Sequence, residues 1–255
     1  MIAAAVASGV LIGLVLGLVG GGGSILAVPL LVHVVGVASA HQAIGTGAVA
    51  VALNALASLI VHARGGTVKW RCGLVFAGAG VAGALIGAGM GKAMDGERLL
   101  ALFGLLMIGV GASMFRKRRS APAPDVRLSR ETAGALLPRL VPIGFGVGLL
   151  AGFFGIGGGF LIVPGLMLAT AMPMGNAVGT SLVAVSALGL STAGSYAVSG
   201  LVDWRLAGLL LAGGAIGAWL GARAGRLLAG RKRVLEHGFA AAVIGVGGYV
   251  TAQAL

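Results

Sequence analysis

The chain has 255 residues, of which 58% are hydrophobic and only 9% are charged. Soluble domains carry roughly 25% charged residues, so this composition excludes a soluble globular protein and indicates an integral membrane protein. The net charge of +12 is explained by basic cytoplasmic loops, and basic residues that lack interleaved aromatics do not predict nucleic-acid binding.

The first half of the chain begins with an interrupted apolar element. Residues 2–36 are apolar, but the run GGGG at 20–23 breaks the pattern of a membrane helix. Uninterrupted apolar spans follow near 43–62, 72–91 and 99–115, each long enough, at roughly 20 residues, to cross the hydrocarbon core. Residues 1–115 are therefore predicted to form an N-terminal membrane repeat.

The second half repeats this plan after a polar linker. Residues 116–139 begin with RKRR and contain prolines, which predicts a basic cytoplasmic linker. An interrupted element near 140–172 is followed by spans near 177–199, 206–226 and 234–252. Residues 140–255 are therefore predicted to form a C-terminal membrane repeat.

The repeat is visible residue by residue. The segment GLVGGGGSILAVP at 17–29 matches GFFGIGGGFLIVP at 152–164, a shift of 135 positions. At a shift of 134, Trp70 matches Trp204, and Gly83 matches Gly217. A pair of glycine-interrupted apolar segments at matching places in two halves is the usual sequence pointer to a transporter's binding site.

Loop charges predict that the two halves are inverted. Inverted halves leave only Lys92, Arg98 and Arg205 outside, whereas parallel halves put Lys92, Arg98 and the basic region 223–233 outside, against the positive-inside rule. Inversion needs an odd number of crossings per half, so each interrupted element enters and leaves on one side. The predicted fold is an all-α polytopic membrane protein of about 8 to 10 membrane segments. Each repeat then has three full spans and one glycine-interrupted broken or re-entrant helical element.

The prolines and the termini complete this topology. Pro29 and Pro164 suit the first turn of a short helix after each break, or else they kink a longer helix. With three crossings in each half, both termini are predicted to be periplasmic.

The doubled glycine motif resembles the paired signature of the TauE/SafE sulfite exporter family. The resemblance also covers AVGTS at 177–181 and VDW at 202–204. It implies a bacterial inner-membrane permease that moves sulfite or a small organosulfur anion, usually outward. The first repeat departs from the motif at Gly47, where the second repeat has Ser181.

The predicted site binds the anion through the backbone, because neither long uncharged stretch holds a basic side chain. A glycine run that ends in a helix start exposes free N–H groups and the positive end of a helix dipole, a combination that binds anions. Hydroxyl and amide side chains supply further donors. The candidate residues are Gly21, Gly22, Gly23, Ser24, Thr46, Asn54, Gly157, Gly158, Gly159, Asn176, Thr180 and Ser181.

The expected partners are a small anionic substrate and membrane lipid, with no nucleic acid, cofactor or metal. The single cysteine, Cys72, excludes an intramolecular disulfide and a Cys-based metal cluster. A homodimer is compatible with the sequence. Coupling to Na⁺ and uncoupled export both stay open, while the lack of intramembrane carboxylates argues against an Asp/Glu proton chain.

Three alternatives compete with an anion transporter. A carrier for a cation or a neutral solute would use the carbonyl ends of the broken helices instead of their N–H ends. A membrane scaffold subunit would bind no solute. A membrane enzyme is disfavoured, because GGSIL at 22–26 lacks the last glycine of a Gly-x-Ser-x-Gly elbow.

Overall fold

The computed structural model describes residues 2–19, 21–114, 128–155, 159–227 and 232–253, and all regular structure in these ranges is helical. Ten α-helices are numbered in chain order, with a 3-10 helix before the second and a π-helix after it. Their bounds are α1 Ile2–Val19, 3-10 Gly21–Leu26, α2 Ala27–Pro29, π Leu30–Val35, α3 Ala40–Arg64, α4 Trp70–Ala93, α5 Gly96–Met114, α6 Arg130–Phe153, α7 Gly159–Thr170, α8 Met174–Val198, α9 Trp204–Leu227 and α10 Lys232–Gln253.

All six predicted spans fall on helices, and four of these helices, α3, α4, α8 and α9, are among the candidate membrane spans. Within the described residues, five helices are long and apolar enough to cross a membrane: Ala40–Arg64, Trp70–Ala93, Arg130–Phe153, Met174–Val198 and Trp204–Gly221. Three shorter apolar helices lie at Ile2–Leu18, Ser24–Val35 and Gly159–Thr170. The shorter helices belong to the two glycine-interrupted elements.

The helix that precedes the second break begins earlier than its sequence pattern suggests. Arg130 is the first residue of α6, although 130–139 fall in the predicted linker, and residues 115–127 lie outside the described ranges. A capping box starts the helix: the Thr132 N–H donates to Ser129 Oγ at 3.3 Å, and the Ser129 N–H donates to Thr132 Oγ1 at 2.9 Å. This reciprocal pair satisfies two donors that a helix start leaves free.

Each interrupted element consists of a long helix followed by a short segment. The N-terminal short segment (residues 21–35) runs from the 3-10 helix to the end of the π-helix, and the C-terminal short segment is α7. Pro29 is the last residue of the three-residue α2 and so lies in its first turn, whereas Pro164 lies inside α7, which is the alternative placement in a longer helix. Since proline has no N–H to donate, the change from α to π geometry directly after Pro29 coincides with a lost backbone bond.

Glycines bring helices of different repeats into backbone contact at matching places. A Cβ at Gly13 of α1 would overlap the carbonyl oxygen of Gly214 in α9, and a Cβ at Gly148 of α6 would overlap that of Gly80 in α4. These four residues are two sets of counterparts, since 13 and 148 differ by 135 and 80 and 214 by 134. Helix α1 therefore packs on α9 as α6 packs on α4.

Helices α3 and α8, which are counterparts, cross at the middle of the molecule and run antiparallel. A Cβ at Gly45 would lie 3.0 Å from Tyr196 Cβ, and a Cβ at Gly189 would lie 2.9 Å from Ala52 Cβ. The residue number rises along α3 while that of the contacted residue falls along α8. Both helices are largely buried, with Asn54, Thr46 and Thr180 among their buried polar residues.

Candidate functional site

The two short segments meet in the interior. The 3-10 helix contacts α7, and one buried apolar cluster holds Ile25 and Leu26 of the N-terminal short segment together with Phe160 and Leu161 of α7. Ile25 and Phe160 are counterparts, as are Leu26 and Leu161. The fold therefore brings together the two segments that carry the doubled motif.

Both short segments begin at a glycine of the motif. The 3-10 helix starts at Gly21 and includes Gly22 and Gly23, and α7 starts at the buried Gly159. Gly157 and Gly158 lie outside the described residues. The first N–H groups of a helix have no partner within that helix, so each short segment starts with backbone donors.

The turn after α6 requires glycine on two grounds. Gly155 has φ +64°, a left-handed conformation that glycine adopts without strain. A Cβ there would also overlap the side chain of Ile44 at the start of α3. The backbone of the second break is therefore pressed against a helix of the first repeat.

Thr46 and Thr180 hold loops of the opposite repeat. The Asp203 N–H donates to Thr46 Oγ1 at 3.0 Å, and the Lys69 N–H donates to Thr180 Oγ1 at 2.9 Å. Because 46 and 180, like 69 and 203, are counterparts, the two bonds are one contact made twice. Each hydroxyl oxygen is committed to a loop, and each hydroxyl proton remains available for donation.

The other polar candidates differ in how their donors are used. Ser24 is fully buried in the N-terminal short segment. Ser181 is also buried, and its hydroxyl donates to the carbonyl of Val178 at 2.8 Å, so that proton is used within α8. Asn176 is half-buried in the first turn of α8.

Asn54 is the polar candidate with the least compensation. It is 1% exposed, and neither its amide nitrogen nor its amide oxygen has a hydrogen-bonding partner among the described residues. A Cβ at Gly214 of α9 would overlap this amide, so glycine leaves the room that Asn54 occupies. A buried amide without partners is costly, which marks this position for a role other than packing.

Two further hydroxyls, which the sequence pattern did not single out, lie at matching places on Ser58 of α3 and Thr192 of α8. Both residues are buried, and neither hydroxyl has a partner within the described ranges. They are counterparts at a shift of 134, so a search for polar residues at matching places in the two repeats was the signal that could have found them.

The part of the chain that the structure describes holds no cluster of three or more His, Cys, Asp or Glu side chains, and Cys72 is buried. The histidines lie apart: His41 Nε2 is 3.3 Å from the carbonyl oxygen of Gly91, and the ring of His33 packs edge-on against Tyr249. To a ligand, the candidate residues offer backbone N–H groups, hydroxyls and the amides of Asn54 and Asn176.

Comparison with known proteins gives a consistent result. The sequence model of the family described as Sulfite exporter TauE/SafE matches residues 5–250. A "Probable membrane transporter protein" of Xylella fastidiosa (strain Temecula1) is 48% identical over 245 residues, which cover 96% of this chain and 93% of that protein. The "Probable membrane transporter protein YunE" of Bacillus subtilis (strain 168) is 32% identical over 235 residues, 86% of each chain. No solved structure matches the chain.

Proposed function

The chain belongs to the sulfite exporter TauE/SafE family of membrane transporters, and from that premise we propose that it carries a small anion across the bacterial inner membrane. Sulfite or a related organosulfur anion is the proposed substrate class. The family and the names of the relatives indicate a transporter rather than an enzyme. The observation that carries the proposal is the contact between the two short segments, which begin at the glycines of the doubled motif.

The anion is held between the starts of the short segments. The ligand is faced by backbone N–H groups at Gly21–Gly23 and at the beginning of α7. Binding through these groups does not require any cationic side chain to lose its water. Helix starts carry partial positive charge, and two of them replace part of the water shell that the anion loses. Donors of this kind suit an oxyanion better than a cation.

The two repeats are inverted. Three observations support this: the antiparallel crossing of α3 and α8, the exchange of contacts between α1–α9 and α6–α4, and the loop charges. The site then lies where the repeats meet, and transport proceeds by alternating access as one repeat rocks against the other. Both termini face the periplasm.

A flux assay tests the function. Purified protein in proteoliposomes is assayed for flux of sulfite, sulfate, thiosulfate, sulfoacetate and chloride, with protein-free liposomes as the blank. We expect flux of at least one sulfur oxyanion, and we expect Gly22→Val or Gly158→Val to abolish it while the protein still inserts.

Gly78→Ala is the matched control. Gly78 of α4 has no neighbour within 4 Å of an added Cβ, and its counterpart is already Ala212. Wild-type flux in the Gly22→Val protein would refute binding through the glycine backbone. Flux of cations without flux of anions would show that the substrate is a cation.

Labelling of single cysteines tests inversion. Arg64 and Val198 are counterparts, each the last residue of its helix and each exposed. In a background without Cys72, a membrane-impermeant maleimide should label position 198 from the periplasm and position 64 only from the cytoplasm. Labelling of both from one side would refute inversion.

A further inference from the structure

One position at the centre of the molecule is polar in the first repeat and apolar in the second. Asn54 of α3 has Leu188 of α8 as its counterpart. The two are 1% and 0% exposed. Because α3 and α8 run antiparallel with Ala52 against Gly189, Asn54 and Leu188 lie at nearly the same height, where the two helices cross.

The surroundings of the two side chains are alike. Asn54 lies against Gly214 of α9, where an added Cβ would be 2.6 Å from Asn54 Cγ. Leu188 lies against Gly80 of α4, where an added Cβ would be 2.9 Å from Leu188 Cδ1. Gly80 and Gly214 are themselves counterparts. The same recess therefore takes a leucine in one repeat and an asparagine in the other.

Packing alone does not explain the asparagine. A leucine of similar size fills the matching recess without burying any polar atom, whereas both polar atoms of the Asn54 amide lack partners among the described residues. Desolvating an amide without replacing its hydrogen bonds is unfavourable. A ligand at this height that accepts a hydrogen bond from the amide nitrogen and donates one to the amide oxygen would remove that cost.

Asn54 also lies on the face of α3 that meets the N-terminal short segment. A Cβ at Gly47 would lie 3.3 Å from Leu31 Cδ1 and 3.4 Å from Ala27 Cβ in the N-terminal short segment. Residues 47 and 54 are one heptad apart and so project from nearly the same face of the helix. Asn54 thus projects from the face of α3 that meets the N-terminal short segment, and its amide lies beside Gly214 of α9.

We propose that Asn54 recognises the proton of a singly protonated oxyanion, and that this monoanion is the species transported. The amide nitrogen donates to an oxygen of the anion, and the amide oxygen accepts the hydrogen bond of its hydroxyl group. A fully deprotonated oxyanion has no hydrogen to donate to the amide oxygen. Its negative charge would lie against the partial negative charge of that oxygen. This assignment rests on the proposed anion transport and adds the protonation state of the substrate.

The charge of the substrate favours the same species. The cost of moving an ion from water to a low-dielectric interior rises with the square of its charge. No Lys or Arg occurs in α3 before its last residue, and none occurs in α7 or α8. A site built from backbone dipoles and neutral side chains therefore accepts a monoanion at a much smaller cost than a dianion.

Three anions separate the possibilities in proteoliposomes. Sulfite gains its single proton near neutral pH, sulfate stays a dianion, and methanesulfonate is a monoanion that has no hydroxyl group at any of these pH values. With equal pH on both sides, wild-type sulfite flux should rise on acidification in proportion to the hydrogen sulfite fraction. Methanesulfonate flux should be slower and independent of pH, and sulfate flux should be slowest.

The decisive variant is Asn54→Leu, which places the counterpart residue in the recess. Sulfite flux should fall by about tenfold or more, the effect of losing hydrogen bonds to a charged ligand, while methanesulfonate flux changes much less. Ser191→Ala is the matched control. The Ser191 hydroxyl donates within α8, to the carbonyl of Leu188 at 2.8 Å, and its removal should leave both fluxes unchanged.

The outcomes are distinguishable. An unchanged ratio of sulfite to methanesulfonate flux in Asn54→Leu overturns the role of Asn54 but leaves anion transport standing. Wild-type sulfite flux that is flat or falls on acidification overturns the monoanion as substrate, and this result needs no variant to fold. If the wild-type protein carries none of the three anions but carries thiosulfate or sulfoacetate, the role of Asn54 in proton recognition fails and anion transport stands. If it carries none of these anions, the proposed function itself fails.

Discussion

The two repeats agree where they hold each other and differ at the centre. Thr46 and Thr180 each accept a backbone N–H from a loop of the other repeat, at 3.0 and 2.9 Å. At the crossing of α3 and α8, however, Asn54 stands opposite Leu188, and only Asn54 has polar atoms to satisfy. Contacts that both repeats make hold the helices together, and we call these contacts the frame. A polar residue that only one repeat has is not needed for this packing and can bind a ligand instead.

The same division extends to the glycines. Most of those that bring α1 onto α9 and α6 onto α4 occur in matching pairs, such as Gly13 with Gly148 and Gly83 with Gly217, because a pseudo-symmetric frame needs the same close approach twice. The motif itself is less strict: Ser24 has Gly159 as its counterpart, and Gly47 has Ser181. The two repeats therefore carry different side chains at these matching positions.

The largest effect on stability is expected from breaking the frame. A Cβ at Gly83 would overlap the carbonyl oxygen of Phe145, and a Cβ at Gly217 would overlap that of Val10. Since neither backbone yields easily, Gly83→Ala and Gly217→Ala should each lower the free energy of unfolding by about 2–3 kcal/mol. Unfolding in mixed detergent–SDS micelles measures this. A large difference between the two variants would contradict the symmetric frame, and Gly78→Ala serves as the neutral reference.

Exchanging the central residues sharpens the comparison. Leu188→Asn buries a second amide without partners and should lower the free energy of unfolding by about 2 kcal/mol. Asn54→Leu removes such an amide and should raise it by about 1–2 kcal/mol, even though it impairs transport. The same unfolding assay, run without substrate, tests both predictions. A destabilised Asn54→Leu protein would show that the amide is satisfied within the fold.

A smaller and equal effect is expected at the two threonines. Thr46→Val and Thr180→Val keep the side-chain shape but leave the N–H of Asp203 or Lys69 without its acceptor. Each should cost about 1 kcal/mol. Unequal losses, or a loss of flux at one position with normal stability, would show that one of the two hydroxyls also serves the ligand.

The smallest effect is expected where Lys92 meets two serines that only the second repeat has. Lys92 Nζ donates to Ser195 Oγ and Ser199 Oγ, both at 3.0 Å, and these serines have Val61 and Gly65 as counterparts. The contact is half-exposed, so Lys92→Met should lower the free energy of unfolding by only about 0.5 kcal/mol. A loss of stability as large as that of Gly83→Ala would show that Lys92 helps to hold the two repeats together.

Much of the frame could be predicted from sequence, because helix length, glycine breaks and loop charge are local patterns. The start of α6 could not, since Arg130, Arg139 and two internal prolines mimic a linker. Nor could the partners of Thr46 and Thr180: the first contact joins residues 157 positions apart and the second 111. A threonine near a predicted site suggests a ligand donor until the fold shows which loop it holds.

Asn54 shows the opposite case. Its sequence context allows either helix packing or ligand binding, and only the structure shows that its amide has no partner in the described ranges while its counterpart recess holds Leu188. A mismatch between repeats becomes informative once the surroundings of both positions are known to match.

The central claim is that the anion binds between the starts of the two short segments. Selenite, an analogue of sulfite, scatters anomalously, and crystals of the protein grown with it locate the anion directly. The account predicts an anomalous peak between the glycine turn at 21–23 and the start of α7 at Gly159, on the Asn54 side of α3. A peak found only beside Lys92 and Ser199, or glycine breaks with no adjoining polar cavity, would contradict it.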